Sequence, residues 1–274
     1  EITNNAEKVR FISIAEQVRM LPKNTGVNIH IAVNASHTDD TNMITKRWQD
    51  ITTQFYKKYG HILPNLRIGF HIVTQLGGSN RFNWNNFKEL FNEHLAQYYV
   101  IVHSSTYVNL YHLVRRMITR VDPNMASVNG NILSFAVTNG TCKSPSSIAG
   151  IILTRPAVTL MLGMNEATNE ANCDLMTDRV PALVNGHGVS IDELVLCECL
   201  RNISTRVLIH HERGMHRLSA YDMLHRIADA SVFSFHEYRD PTSLARLPIT
   251  FGDSAPINID EQNILKETLY TNQF

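Results

Sequence analysis

No apolar run in this chain approaches the ~20 residues that span a bilayer, so nothing in it reads as a membrane segment. Charge is also scarce. Only 18% of the residues are charged, and 25 basic residues cancel 25 acidic ones. No global field therefore draws the chain to nucleic acid or membrane, and electrostatic recognition has to be local. Cysteine is confined to Cys142, Cys173, Cys197 and Cys199, too few for a disulfide-built scaffold in 274 residues. Cys197 and Cys199 stand two apart, which excludes the CxxC loop of redox and zinc sites, and reduced core thiols are the expectation. A phosphate loop and a dinucleotide fingerprint are missing as well. Gly77-Gly78 lacks the third glycine, and Gly140-x-x-Lys143-Ser144 is too short. No signal-peptide pattern follows Glu1, a start that reads as a trimmed product or as part of something longer. A cytoplasmic or virion location is expected; sequons at Asn34, Asn139 and Asn202 leave secretion open.

What is present is a 43% hydrophobic chain, enough for a real core. Residues 6–21 have helical spacing and end at Pro22. Val27 to Ala35 is a β-branched run and reads as a first strand, followed by turn formers and helix caps. Residues 42–59 place Ile44, Trp48, Ile51, Phe55 and Tyr59 on one helical face. Further strands are expected at 66–74, 98–103 and 132–137, with helices at 84–96 and 107–120 between them. The strands lack polar alternation, which suggests burial on both faces and a parallel sheet covered by helices. The fold class expected is therefore α/β, with a Rossmann-like, open, mostly parallel sheet over residues 1–140. Residues 141–274 read as a helix-rich part packed against it, ending in an irregular strap from Pro241 onward. Within that part, 148–162 reads as a strand then a helix at Pro156, and 189–221 as strongly helical.

Open α/β sheets bind ligands in the loops after their strands. Those loops hold His37, Asp39 and Asp40, then Gly77 to Asn80, then His103. His37, Asp40 and His103 are thus the catalytic candidates, with His103 as general base because imidazole titrates near neutral pH. No metal set is assigned. His210-His211-Glu212 with His216 has gaps of five and six, about 140° and 240° around a helix, whereas the two-His zinc helix needs i and i+4 on one face.

Charge patterning on two helical stretches is the stronger signal. His112, Arg116 and Arg120 recur every four residues. Arg206, His210, Arg213 and Arg217 fall at i, i+4, i+7 and i+11. Aligned guanidiniums grip phosphates bidentately, so these residues are the nucleic-acid-binding candidates. Two family resemblances arise. The segment Gly26–Thr74 with the later Gly-Thr-Cys-Lys turn resembles the start of a metzincin metalloprotease, although no HExxH follows. Gly186-His187-Gly188 with Cys197 and Cys199 resembles the His-Gly and Cys elements of caspase-like peptidases, set much closer together.

The function expected is a structural or nucleic-acid-associated subunit of a larger assembly of the viral kind, contacting RNA or neighbouring subunits through its basic faces. One alternative is a Rossmann-like transferase or hydrolase acting on a nucleotide or sugar; a more remote one is a degenerate metalloprotease-like domain. The sequence identifies no cofactor.

Overall fold

A computed structural model of the chain describes residues 21, 25–35, 41–59, 66–74, 91–92, 95–102, 106–137, 140–147, 149–165, 170–171, 191–215 and 234–235. The helices expected at 6–21 and 84–96 lie almost wholly outside these residues, as does the strap from Pro241.

The strand, helix and strand expected between residues 27 and 74 form where the sequence places them. Strand β1 (Val27–Ala35) and strand β2 (Leu66–Thr74) pair in parallel, from Val27 opposite Leu66 to Ala35 opposite Thr74. Parallel strands need a crossover, and helix α1 (Thr41–Tyr59) lies between them in sequence with Ile51 buried.

The main sheet departs from expectation. It contains β3 (Tyr98–Ile101), β5 (Ser127–Gly130), β8 (Ile151–Thr154) and β11 (Leu208–His211), in the order β11-β5-β8-β3. β8 runs antiparallel to both β3 and β5, and only β11 and β5 are parallel. The fold is mixed α/β with mostly antiparallel pairing in this sheet, and the Rossmann-like parallel arrangement is corrected. The reason is physical. β8 is an unbroken apolar strand with Ile151 and Leu153 in one core and Ile152 in the other. Lack of alternation reports burial on both faces, and says nothing about strand direction.

The remaining strands are short pairings. β6 (Ile132–Val137) and β7 (Gly140–Pro145) form an antiparallel hairpin, so the fourth expected strand sits outside the main sheet. β4 (Tyr107–Val108) pairs with β12 (Ser234–Phe235), and β9 (Met164–Asn165) with β10 (Glu170–Ala171).

Helix α2 (Leu110–Arg120) starts at Asn109, whose side-chain Oδ1 accepts the His112 backbone N–H at 3.1 Å. Helix α3 (Arg155–Leu162) follows β8 directly, with Pro156 in its first turn, where a missing N–H costs nothing. Thr154 joins the two strands beneath it. Its hydroxyl donates to the Met125 carbonyl at 2.7 Å and accepts the Ser127 N–H at 2.9 Å.

Helix α4 (Ile191–Asn202) is buried without interruption from Glu193 to Leu200. A helix buried all round belongs inside a core. It packs with α3 against Val128 and Leu153, and Met161, Leu200 and Ile203 are fully enclosed. The helix ends at Asn202, well short of the expected Tyr221; a turn and β11 follow.

The described cysteines, Cys142, Cys197 and Cys199, are oxidised, which corrects the expectation of free thiols there. Cys142 on β7 is bonded to Cys197 on α4 across 55 residues, with Cα atoms 5.7 Å apart. Cys199 is disulfide-bonded too, and no free cysteine occurs among the described residues.

Gly130 makes one contact that only glycine permits. A Cβ there would sit 2.7 Å from Pro145 Cβ and 3.1 Å from the Gly150 carbonyl oxygen. Neither atom belongs to a flexible side chain. Gly130→Ala is expected to cost about 2 kcal/mol by overpacking, read as a lower urea midpoint at unchanged slope.

Candidate functional site

The catalytic candidates His37, Asp40 and His103 lie outside the described residues, as do Arg217, His187 and His216. The other basic candidates can be placed, and two of the clusters meet.

On α2, Leu113 and Met117 turn into a small core with Ala149, Ile152 and Met215. That orientation carries His112 and Arg116, one and two turns along, onto the flank beside this core, with Arg120 exposed in the last turn. From the flank, Arg116 Nε donates to Glu212 Oε2 at 2.8 Å. The Glu212 side chain is only 8% exposed, against 36% for Arg116. Its other oxygen accepts the Gly214 N–H at 3.3 Å, and its backbone N–H donates to the Gly130 carbonyl at 2.7 Å. Glu212 thus fastens α2 to the end of β5 and to the turn after β11.

The second basic cluster takes a form other than the expected helix. Leu208 to His211 is a strand in parallel register with Ser127 to Gly130. Leu208 N–H donates to the Ala126 carbonyl at 2.9 Å, continuing that pairing backward. The helical stripe through Arg206, His210 and Arg213 therefore does not exist. Pairing with β5 supplies the segment's backbone partners, and tertiary context overrides local helical spacing. Arg206, His210 and Arg213 are all exposed. On the strand Leu208 and His210 share one side; Arg206 lies in the preceding turn, its N–H donating to the Ile203 carbonyl at 2.9 Å, and Arg213 lies in the turn after Glu212.

The same strand settles the histidine pair. His210 and His211 are neighbours on a strand and point to opposite sides. His211 Nδ1 accepts the Ile132 N–H at 3.0 Å. Glu212, the carboxylate of this run, is held by Arg116 and Gly214. Among the described residues, no group of three or more His, Cys, Asp or Glu is placed to hold a metal ion.

Two buried acids escaped the sequence reading. Glu193, 2% exposed, accepts the Ser146 hydroxyl at 3.0 Å and the Ser147 N–H at 3.2 Å. Glu198 pairs with Arg201 at 2.8 Å. The signal was available: acids inside an otherwise apolar helix are buried only with partners. Nearby, the Tyr98 hydroxyl donates to the Val121 carbonyl at 2.8 Å. Burial, and then the negative charge of Asp122, raise its pKa above 10.0.

Of the basic candidates, Arg116 meets Glu212 where α2 reaches the turn after β11, and Arg213 follows Glu212 directly in that turn. Among the described residues, no helix is long and apolar enough to cross a membrane. No protein-family model matches the chain, and no curated protein matches it.

Proposed function

We propose that this chain is a metalloprotease-like domain of an oxidising compartment that works by binding a partner. The observation that carries the reading is the Cys142–Cys197 disulfide. Structural disulfides persist in secreted and lumenal proteins and are rare where thiols are kept reduced. The bond involves the cysteine of the Gly-Thr-Cys-Lys run, one of the two segments that resemble the metzincins, although that run lies in strand β7 and not in the expected turn. The other, Gly26–Thr74, forms a parallel strand pair with an intervening helix. Binding is preferred to hydrolysis because the chain's nearest approach to a zinc helix, His210-His211-Glu212, has its carboxylate and one imidazole nitrogen engaged in holding the fold.

The test is peptide mapping of protein secreted from eukaryotic cells, without reductant, alongside a zinc determination and a peptide-hydrolysis assay. A Cys142–Cys197 peptide with neither stoichiometric zinc nor turnover is the expected result. Free thiols at both positions, or zinc-dependent cleavage, would overturn the reading.

A second reading, the RNA-contacting subunit of a larger assembly, is favoured by the exposure of Arg206, His210 and Arg213 within eight residues. A large nucleic-acid-containing particle in light scattering, with a raised 260 to 280 nm absorbance ratio, would move the preference to it. The transferase or hydrolase reading rests on His37, Asp40 and His103, which lie outside the described residues.

A further inference from the structure

We infer that the exposed basic surface around the Arg116–Glu212 pair binds a sulfated polysaccharide chain. The inference rests on the oxidising-compartment reading above, and it names the partner for that compartment.

Three observations carry it. The first is convergence. The 2.8 Å contact between Arg116 and Glu212 brings the α2 cluster, with Arg120 exposed, against the turn that holds exposed Arg213. Four helical residues advance about 6 Å, so Arg120 lies within a short reach of Arg116 along the axis. The second is extent. Exposed Arg206 stands in the turn before β11, exposed His210 on the strand and exposed Arg213 in the turn after it, so cations flank both ends of a four-residue strand roughly 13 Å long. An elongated row suits a polymer with repeating charge better than a single compact anion. The third is the local balance of sign. Glu212 is spent on Arg116, whose guanidinium has five donors of which this bond takes one. Arg115 adds a further exposed cation beside it. Against the exposed Asp122, the exposed Arg115, Arg120 and Arg213 leave a local excess of positive charge in a chain with no net charge.

Sulfate and phosphate offer guanidinium the same geometry, three acceptor oxygens and negative charge. The compartment distinguishes them. Where disulfides persist, the abundant linear polyanions are sulfated sugars.

The experiment uses the disulfide-intact chain and three immobilised probes: heparin, chemically desulfated heparin and poly(U). Affinity is measured across a sodium chloride series. The expected result is salt-sensitive binding to heparin, loss on desulfation, and weaker binding to poly(U). Arg206→Ala/Arg213→Ala is expected to weaken heparin binding about tenfold or more and to flatten the slope of log affinity against log salt by roughly one to two. Lys46→Ala/Lys57→Ala removes two exposed charges from α1 and is expected to leave both unchanged. Equal effects of the two double variants, or no heparin binding at low salt, would overturn the inference while leaving the disulfide map intact. Tighter binding to poly(U) would overturn it in favour of nucleic acid. Reduced cysteines in the mapping experiment would remove its premise, a separately readable failure.

Discussion

Cys142→Ser/Cys197→Ser is expected to lower stability by about 4 kcal/mol, the chain-entropy value for a closed loop of this size. The bond spans 55 residues and closes a loop containing β8 and α3, the elements that fill the main core. Without it, the unfolded chain regains the freedom of that whole loop, and the folded chain keeps its contacts. The folded side responds less because Cys197 is fully buried within a packed helix, and serine is close to cysteine in size. Its hydroxyl nevertheless enters an apolar site and adds a smaller penalty. For a chain of this length the melting temperature is expected to fall on the order of 10 °C. Calorimetry of the variant, with Cys199 kept oxidised, checks this. A shift below about 2 °C would mean that the bond closes a loop already ordered in the unfolded ensemble.

The disulfide is also where the sequence misled most. Four cysteines in a long chain are too few to demand pairing, and a C-x-C spacing fits no standard site. Neither argument bears on two cysteines 55 residues apart, because spacing along the chain does not report proximity in the fold. Elsewhere, legibility followed the range of the forces involved. β1, α1 and β2 were readable because β-branched runs, helical periodicity and turn chemistry are local, and so was the break at Pro156. Strand direction in the main sheet was not. Ile151 to Thr154 looks the same from either side, and its antiparallel partners lie about 25 and 50 residues away in sequence. The segment 206–213 failed for the reverse reason. It carried a helical pattern of basic residues that the pairing with Ser127 to Gly130 overrode. For the site, the residue types were legible and their arrangement was not. Arg116 was found as a cation, and Glu212 was passed over as a counter-charge in a histidine run. Their contact spans 96 positions, beyond what local pattern can show.

That contact gives the second large effect. Arg116→Met is expected to destabilise the chain by about 2–3 kcal/mol, more than a surface ion pair is worth. The asymmetry of burial sets the size. Arg116 is about one-third exposed and can be solvated if it loses its partner, whereas the Glu212 side chain is 8% exposed and cannot. Removing the arginine strands a carboxylate whose remaining donor among the described residues is the Gly214 N–H at 3.3 Å. Glu212→Gln should therefore cost less than Arg116→Met, because the neutral amide needs no counter-charge and retains an acceptor for Gly214. The double variant Arg116→Met/Glu212→Gln should be more stable than Arg116→Met alone by about 1–2 kcal/mol, the coupling expected for groups in direct contact. Urea unfolding of the three variants measures the cycle. If all three lost the same small amount, the pair would be an ordinary surface contact, and α2 would be held by Leu113 and Met117 alone. If the full coupling appears, the pin at Glu212 sets where Arg116 and Arg120 stand relative to Arg213, and the stability of the fold and the layout of its basic surface depend on the same bond.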